Sequence, residues 1–255
     1  IGVGGLFAAL IIKANNLHSF QTLYRIDASM LSIYLVLVLF MPSWIGKRDK
    51  ESEHLAGSYR EVFRIRILMR LMGANLLLVL FGYASISAGM PLFITSVLGE
   101  TPKWLGIIWA ANCFGIILVQ PFVLRRLEQI PHLKALSYSG LIWAFSWLLV
   151  ALTKISPAIF ILPLLVTSAV IFGIGETIWS PTTPTVVNDL APDHIRGRTN
   201  AFMSLNWGIA GVFGAPFAGI LFDHGLSNVW LAILIIGCLV PVPMINRLAT
   251  YTSRS

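Results

Sequence analysis

Eight apolar stretches follow one another along this chain, at residues 1–12, 26–41, 68–97, 104–124, 135–152, 157–178, 200–222 and 229–248. No other feature restricts the fold as severely. A helix rises about 1.5 Å per residue, so about 20 mostly apolar residues cross a hydrocarbon core of about 30 Å. Backbone N–H and C=O groups in lipid must find partners within the protein, which leaves helices or closed barrels. A barrel strand alternates apolar and polar side chains, whereas these stretches are continuous. The expected fold class is therefore all-α: a polytopic transmembrane helical bundle of about eight helices, the first one truncated. Composition agrees, since 56% of the 255 residues are hydrophobic and 11% are charged. Soluble domains average about 25% charged. That shortage of charge excludes a water-facing enzyme, a disordered tail and a disulfide scaffold.

The basic excess, 18 Lys and Arg against 11 Asp and Glu, would point to nucleic acid in a soluble domain. Here the cations fall between apolar stretches, and all but Lys13, Arg25, Lys103 and Lys154 fall on one side of the expected bundle. The positive-inside rule makes that side cytoplasmic and puts the C-terminus inside. The expected location is the plasma membrane, with the lipid bilayer as surroundings and no nucleic acid as partner. Cys113 and Cys238 both lie in apolar stretches and the five His are scattered. Neither a disulfide nor a metal site is expected from that spacing. No nucleophile–base set and no phosphate-binding loop stands in the sequence, so no catalytic residue, no cofactor and no enzyme activity is expected.

The stretch at 1–12 would cover about 18 Å, and the first cation, Lys13, comes after it rather than before. This reads as the end of a helix in a fragment of a longer protein, not as a signal peptide. The longest polar connection, residues 43–67, divides residues 1–42, with two helices, from residues 68–255, with six. Within it Ser58-Tyr59-Arg60-Glu61 has capping-box spacing, and Val62, Phe63 and Ile65 alternate with Arg64 and Arg66. A short basic helix on the cytoplasmic membrane surface and a solvated linker both fit.

Polar side chains inside the stretches are the best site markers, because each needs a partner or water in lipid. Tyr83 and Ser87 stand four apart on one helical face. Asn112 and Gln120 lie near the stripe of Trp109, and Thr167 and Asn206 occupy the sixth and seventh stretches. Each marks either a solute path or an ordinary interhelical hydrogen bond. Gly208, Gly211, Gly214 and Gly219 strip the seventh stretch of bulk, which suits close packing or a helix that slides. Trp143 and Trp147 are expected to face lipid or neighbouring helices. Glu176 falls in the cytoplasmic third of its stretch, where a bare carboxylate costs about 2.5–3.5 kcal/mol, so it must be neutral or paired.

The segment Asn188-Asp189-Leu190-Ala191-Pro192-Asp193-His194-Ile195-Arg196-Gly197-Arg198-Thr199-Asn200-Ala201 resembles the cytoplasmic loop between helices ten and eleven of major facilitator superfamily transporters. Trp207-Gly208, Gly211, Gly214, Pro216, Gly219, Asp223 and Trp230 follow in the order usual for helix eleven and the start of helix twelve. Gly173-Ile174-Gly175-Glu176 with Pro181 and Pro184 is similar to helix ten, and Phe20-Gln21 with Asp27-Ala28 to the approach to helix six. The chain would then hold helices five to twelve. Leu124-Arg125-Arg126-Leu127 keeps the cations of the loop after helix eight without its Asp, and Gly2-Val3-Gly4-Gly5 lacks the Gly-Pro pair of drug/proton antiporters.

The resemblance implies a secondary transporter that moves a small-molecule substrate by alternating access, with proton-coupled efflux of lipophilic compounds as one form. It implies that helices seven, eight, ten and eleven line the cavity, which makes Tyr83, Ser87, Trp109, Asn112, Thr167 and Asn206 the cavity candidates. It also implies a cytoplasmic gate of Glu176, Arg125, Arg126, Asp189 and Arg196, with Glu176 paired to one of the two loop arginines. Protons and the missing N-terminal helices of the same protein are the implied partners. A truncated, non-transporting membrane protein or scaffold is the alternative.

Overall fold

The computed structural model describes residues 11, 17–40 and 58–252. The expected first helix, Ile11 apart, and the connection before Ser58 lie outside the described residues. What is described is helical throughout: α1 (Leu17–Phe40), the short α2 (Tyr59–Arg64), and a long rod made of α3 (Arg66–Leu77), a π-helical stretch (Leu78–Ala84), α4 (Ser85–Leu92) and a second π-helical stretch (Phe93–Val97). Then come α5 (Lys103–Leu127), α6 (His132–Leu152), α7 (Ala158–Leu190), a 3₁₀ turn (Asp193–Ile195), α8 (Arg196–Asp223), α9 (Ser227–Leu239) and α10 (Pro241–Thr252). Among the described residues 7 helical segments are long and apolar enough to cross a membrane, the rod from Arg66 and the α9–α10 pair each counting once. The chain is a multi-pass membrane protein of the expected all-α class.

Three boundaries differ from the sequence reading, the first being that α1 begins at Leu17 rather than at 26. The sixth stretch is expected to end at 178; instead α7 continues as one helix to Leu190 with Pro163, Pro181 and Pro184 inside it. The hydroxyls of Thr177 and Thr185 bond back to the carbonyls of Gly173 and Pro181, at 2.7 and 2.9 Å, on either side of the proline pair. Such back-bonding and neighbouring helices let a span keep prolines that would end a soluble helix. The eighth stretch, in turn, is two helices that meet at Val240 and Pro241.

α6 is the centre of the bundle. It packs against α7, α9, α10 and the first π-helical stretch, while α5 lies on the far side of α7 and α8 lies against the rod. Lipid tails are as apolar as the side chains, so close contact rather than hydrophobicity holds such helices together. Glycine permits it: a Cβ at Gly175 would stand 2.6 Å from the Trp143 ring, and one at Gly82 would overlap the other edge of the same ring. Trp143 therefore fills a slot between α7 and the rod. It is fully buried, as is Trp147, which packs edge-on against Trp230 at 5.5 Å. Of the two surroundings expected for Trp143 and Trp147, lipid is excluded and neighbouring helices are found.

The short basic helix of the connection is real but does not lie free. Ser58 caps α2, its hydroxyl accepting from the Arg60 N–H at 3.2 Å. Glu61, the other half of the expected capping box, turns away to His194 at 2.7 Å. Phe63 meets Phe202 edge-on at 4.8 Å, and the Arg198 guanidinium sits over the Tyr59 ring. α2 is thus clamped to the turn before α8 and to the first turns of α8.

Candidate functional site

Tyr83 is the hinge of the site. It stands in the first π-helical stretch, where the Ser85 hydroxyl bonds to the carbonyl five residues back, at Leu80. A π-bulge adds a residue to a turn and re-aims the side chains around it. The Tyr83 ring meets Trp207 of α8 edge-on at 4.6 Å and stands about 6 Å from Phe172 and Trp179 of α7 and Trp143 of α6. Its hydroxyl donates to Glu176 Oε1 at 2.8 Å. The Asn112 side chain lies beside the same carboxylate.

Glu176 is therefore not paired as expected. Among the described residues no Lys, Arg or His lies within salt-bridge distance of it. Arg125 and Arg126 are exposed at the end of α5. In this arrangement the carboxylate is bonded to Tyr83 instead. The other expected gate residues form local contacts. Asp189 meets His132 at 3.0 Å, and Arg196 bonds to Asp193 at 2.9 Å and to the Asn188 carbonyl at 3.0 Å.

The cavity candidates divide into two sets. Asn112 and Asn206 are buried and tie helices together, Asn112 to the Ala169 carbonyl at 3.2 Å and Asn206 to the Met72 carbonyl at 3.2 Å. Asn206 also shares Met203 Sδ with Asn75, whose carbonyl oxygen accepts from Trp179 Nε1 at 2.9 Å, so one polar net joins α3, α7 and α8. Tyr83 and Trp109 are half-buried, while Ser87 and Thr167 are exposed. The structure brings Tyr83, Asn112 and Glu176 together, and none of the six cavity candidates is among the lining residues of the two cavities described next.

Two cavities flank α7 and meet at the exposed Ser180. One, of about 330 Å³, is lined by Ile116, Gln120, Leu124, Glu176, Thr177, Ser180 and Pro181. The other, of about 340 Å³, is lined by Asn75, Trp179, Ser180, Thr183, Pro184, Asn200, Met203, Ser204 and Trp207. Sequence reading named Glu176 and Gln120 but missed Trp179, Trp207, Asn75 and Thr183 as residues that line these cavities. Nothing in a single sequence joins residues this far apart. A larger cavity of about 760 Å³ lies at the end of the bundle near His132, Lys134, Asp189 and Asn246.

With that geometry in hand, comparison with known proteins gives two findings. Residues 79–254 match the family described as the Major Facilitator Superfamily. The chain is also 28% identical over 147 residues to an uncharacterised MFS-type transporter of Bacillus subtilis (strain 168), YttB. That match covers 56% of this chain and 35% of the relative, so the chain spans about a third of the relative's length.

Proposed function

Since the chain belongs to the major facilitator superfamily, we propose that it forms one side of a secondary transporter that moves a small lipophilic or weakly polar solute by alternating access. The observation that carries this reading is the Tyr83–Glu176 pair, a carboxylate bonded to a neutral hydroxyl at mid-helix beside a cavity. Ionisable groups inside spans face cavities and mark solute or ion paths. Further helices of the same protein supply the opposite side, because such transporters bind solute between two halves. The form of the reaction we infer is proton-coupled efflux across the plasma membrane, with Glu176 as the proton-carrying group. Asp189, Arg196, Arg125 and Arg126 belong to its cytoplasmic gate, on the side that the basic residues make inner.

The test is counterflow in lipid vesicles, run with the chain alone and with the chain joined by the preceding helices of the same protein, each with and without a proton gradient. Solute movement is expected only in the joined form, and Glu176→Gln should uncouple it from the gradient. No movement of any lipophilic solute by the joined form overturns the reading. A cysteine at Gln129, in the turn after α5, should be labelled from the inner face only.

A further inference from the structure

The cavity of about 340 Å³ between α7 and α8 carries no charge of its own: no Lys, Arg, His, Asp or Glu is among its lining residues. What it does carry is hydrogen-bonding capacity left unused. Thr177 and Thr185 bond back to carbonyls four residues before them on α7, but Thr183 does not. Its hydroxyl is without a partner, in a residue only 5% exposed, on the cavity wall. A buried polar group without a partner costs free energy, so this hydroxyl marks a place where a bond is still to be made. Ser180 stands three residues before it on the same helical face and lines the same cavity. Because Pro184 has no N–H, the Ser180 carbonyl is not taken up by the helical bond from four residues on. One donor and one acceptor thus lie about a helical turn apart on one wall. The rest of the wall includes the indoles of Trp179 and Trp207, whose rings cross at 67° with centroids 5.7 Å apart. Trp179 is fixed in that corner by its Nε1–H, which donates to Asn75 at 2.9 Å.

We propose that this cavity binds an uncharged planar ring with a lactam edge, the ring against the indoles, its carbonyl accepting from the Thr183 hydroxyl and its N–H donating to the Ser180 carbonyl. The inference rests on the transport reading above and narrows its weakly polar solute to one chemical class. A lactam presents an adjacent donor and acceptor on a flat body, which matches both parts of the wall. A ring without that edge leaves Thr183 unpaired, and a charged ring meets no counter-charge among the lining residues. Discrimination of this kind is sharp, because a site made to hydrogen-bond its ligand penalises the analogue that lacks the group. Aromatic contact with the two indoles supplies the remaining attraction.

The probes are carbostyril, which has the lactam edge, its N-methyl derivative, which lacks the N–H, and naphthalene, which lacks both groups, with naphthoate as the charged control. Each is titrated by calorimetry against the purified chain in detergent. Wild-type protein should bind carbostyril about tenfold more tightly than the N-methyl derivative, naphthalene more weakly than either, and naphthoate more weakly than carbostyril. Thr183→Val keeps the shape of the side chain and should weaken both lactams about tenfold while leaving naphthalene unchanged. Thr185→Val, which deletes a hydroxyl that bonds back within the helix, should leave every affinity unchanged. The proposal is overturned if the wild type binds the three neutral rings equally, binds none of them, or binds naphthoate as tightly as carbostyril. Those comparisons stand even where Thr183→Val does not fold. A folded Thr183→Val protein that keeps the wild-type affinity for carbostyril overturns it too. In the vesicle assay of the joined form, flux of other neutral solutes that carbostyril fails to inhibit would overturn this inference and leave the transport reading intact. Selective lactam binding with no flux of any solute would do the reverse.

Discussion

α6 and α8 are made from the same kinds of residue, apolar side chains interspersed with Gly, Ser and Trp, and they end in opposite environments. On α6, Trp143 leaves 0% of its surface exposed and sits in slots opened by Gly82 and Gly175. On α8, Trp207 leaves 43% exposed, and a Cβ added at Gly208, Gly211 or Gly219 would meet nothing within 4 Å. Gly214 alone of that series touches a neighbour, Ala84, at 3.3 Å. A small residue in a membrane helix is a close contact only where another helix answers it. α6 is enclosed by its neighbours, whereas α8 keeps a bare, low-relief face beside the cavity of Trp207 and Ser204. That face is where the transport reading puts the opposite side of the protein and the solute.

The largest effect that separates the two helices belongs to their tryptophans. Trp143→Ala removes a buried ring stacked on Phe172 at 5.0 Å and a hydrogen bond to the Phe172 carbonyl. A loss of about 3–5 kcal/mol in reversible unfolding is expected, the range for large-to-small changes in a packed core. Trp207→Ala should lose less than about half of that. Equal losses would mean that α8 is as enclosed as α6.

Glycine should sharpen the contrast by reversing its sign. Gly175→Ala drives a methyl group into the Trp143 ring, 2.6 Å away, and should cost about 1–3 kcal/mol. Gly211→Ala adds the same methyl where there is open space and gains helix propensity, so the isolated chain should become more stable by about 0.5–1 kcal/mol. If an opposite half does pack on α8, the same Gly211→Ala change should impair transport in the joined protein.

The difference between these helices was invisible in the sequence, while the spans themselves were not. Continuous apolar runs dictate membrane-crossing helices by length and backbone chemistry alone, so six of the expected stretches, from 68 onward, and the one at 26–41 were found close to their expected places. Reading failed where polarity and proline imitate an end. The helix of the sixth span runs past its expected end at 178 to Leu190. The hydrogen-bond partner of Glu176, Tyr83, was legible as a site residue by its polarity, yet their contact spans 93 positions and leaves no local trace. Trp143 and Trp207 likewise look alike until their neighbours are known.

A middle-sized effect tests how the enclosed and open regions join at Tyr83. Tyr83→Phe keeps the edge-on contact with Trp207 and deletes only the hydroxyl that bonds Glu176. The hydrogen bond is worth about 1 kcal/mol net, so unfolding should move by about that much. A much larger loss would show that the hydroxyl, not the ring, joins the two regions.

The smallest effect concerns the inner end of α8, the part of the open helix that does have partners. Glu61 of α2 meets His194 at 2.7 Å, but both side chains are about two-fifths exposed. Water and salt screen such a pair, and holding two side chains in one geometry costs entropy, so exposed pairs contribute about 0–1 kcal/mol. Phe63 against Phe202 and Arg198 over Tyr59 hold the same junction without that pair. Glu61→Gln should therefore leave unfolding nearly unchanged, and a double-mutant cycle with His194→Ala should give a coupling below about 1 kcal/mol. A larger coupling would show that the Glu61–His194 hydrogen bond, not the aromatic contacts, fastens α2 to the open helix. The bare face of α8 would then depend on this polar pair for its position, and the contrast with the packed α6 would extend to how each helix is held.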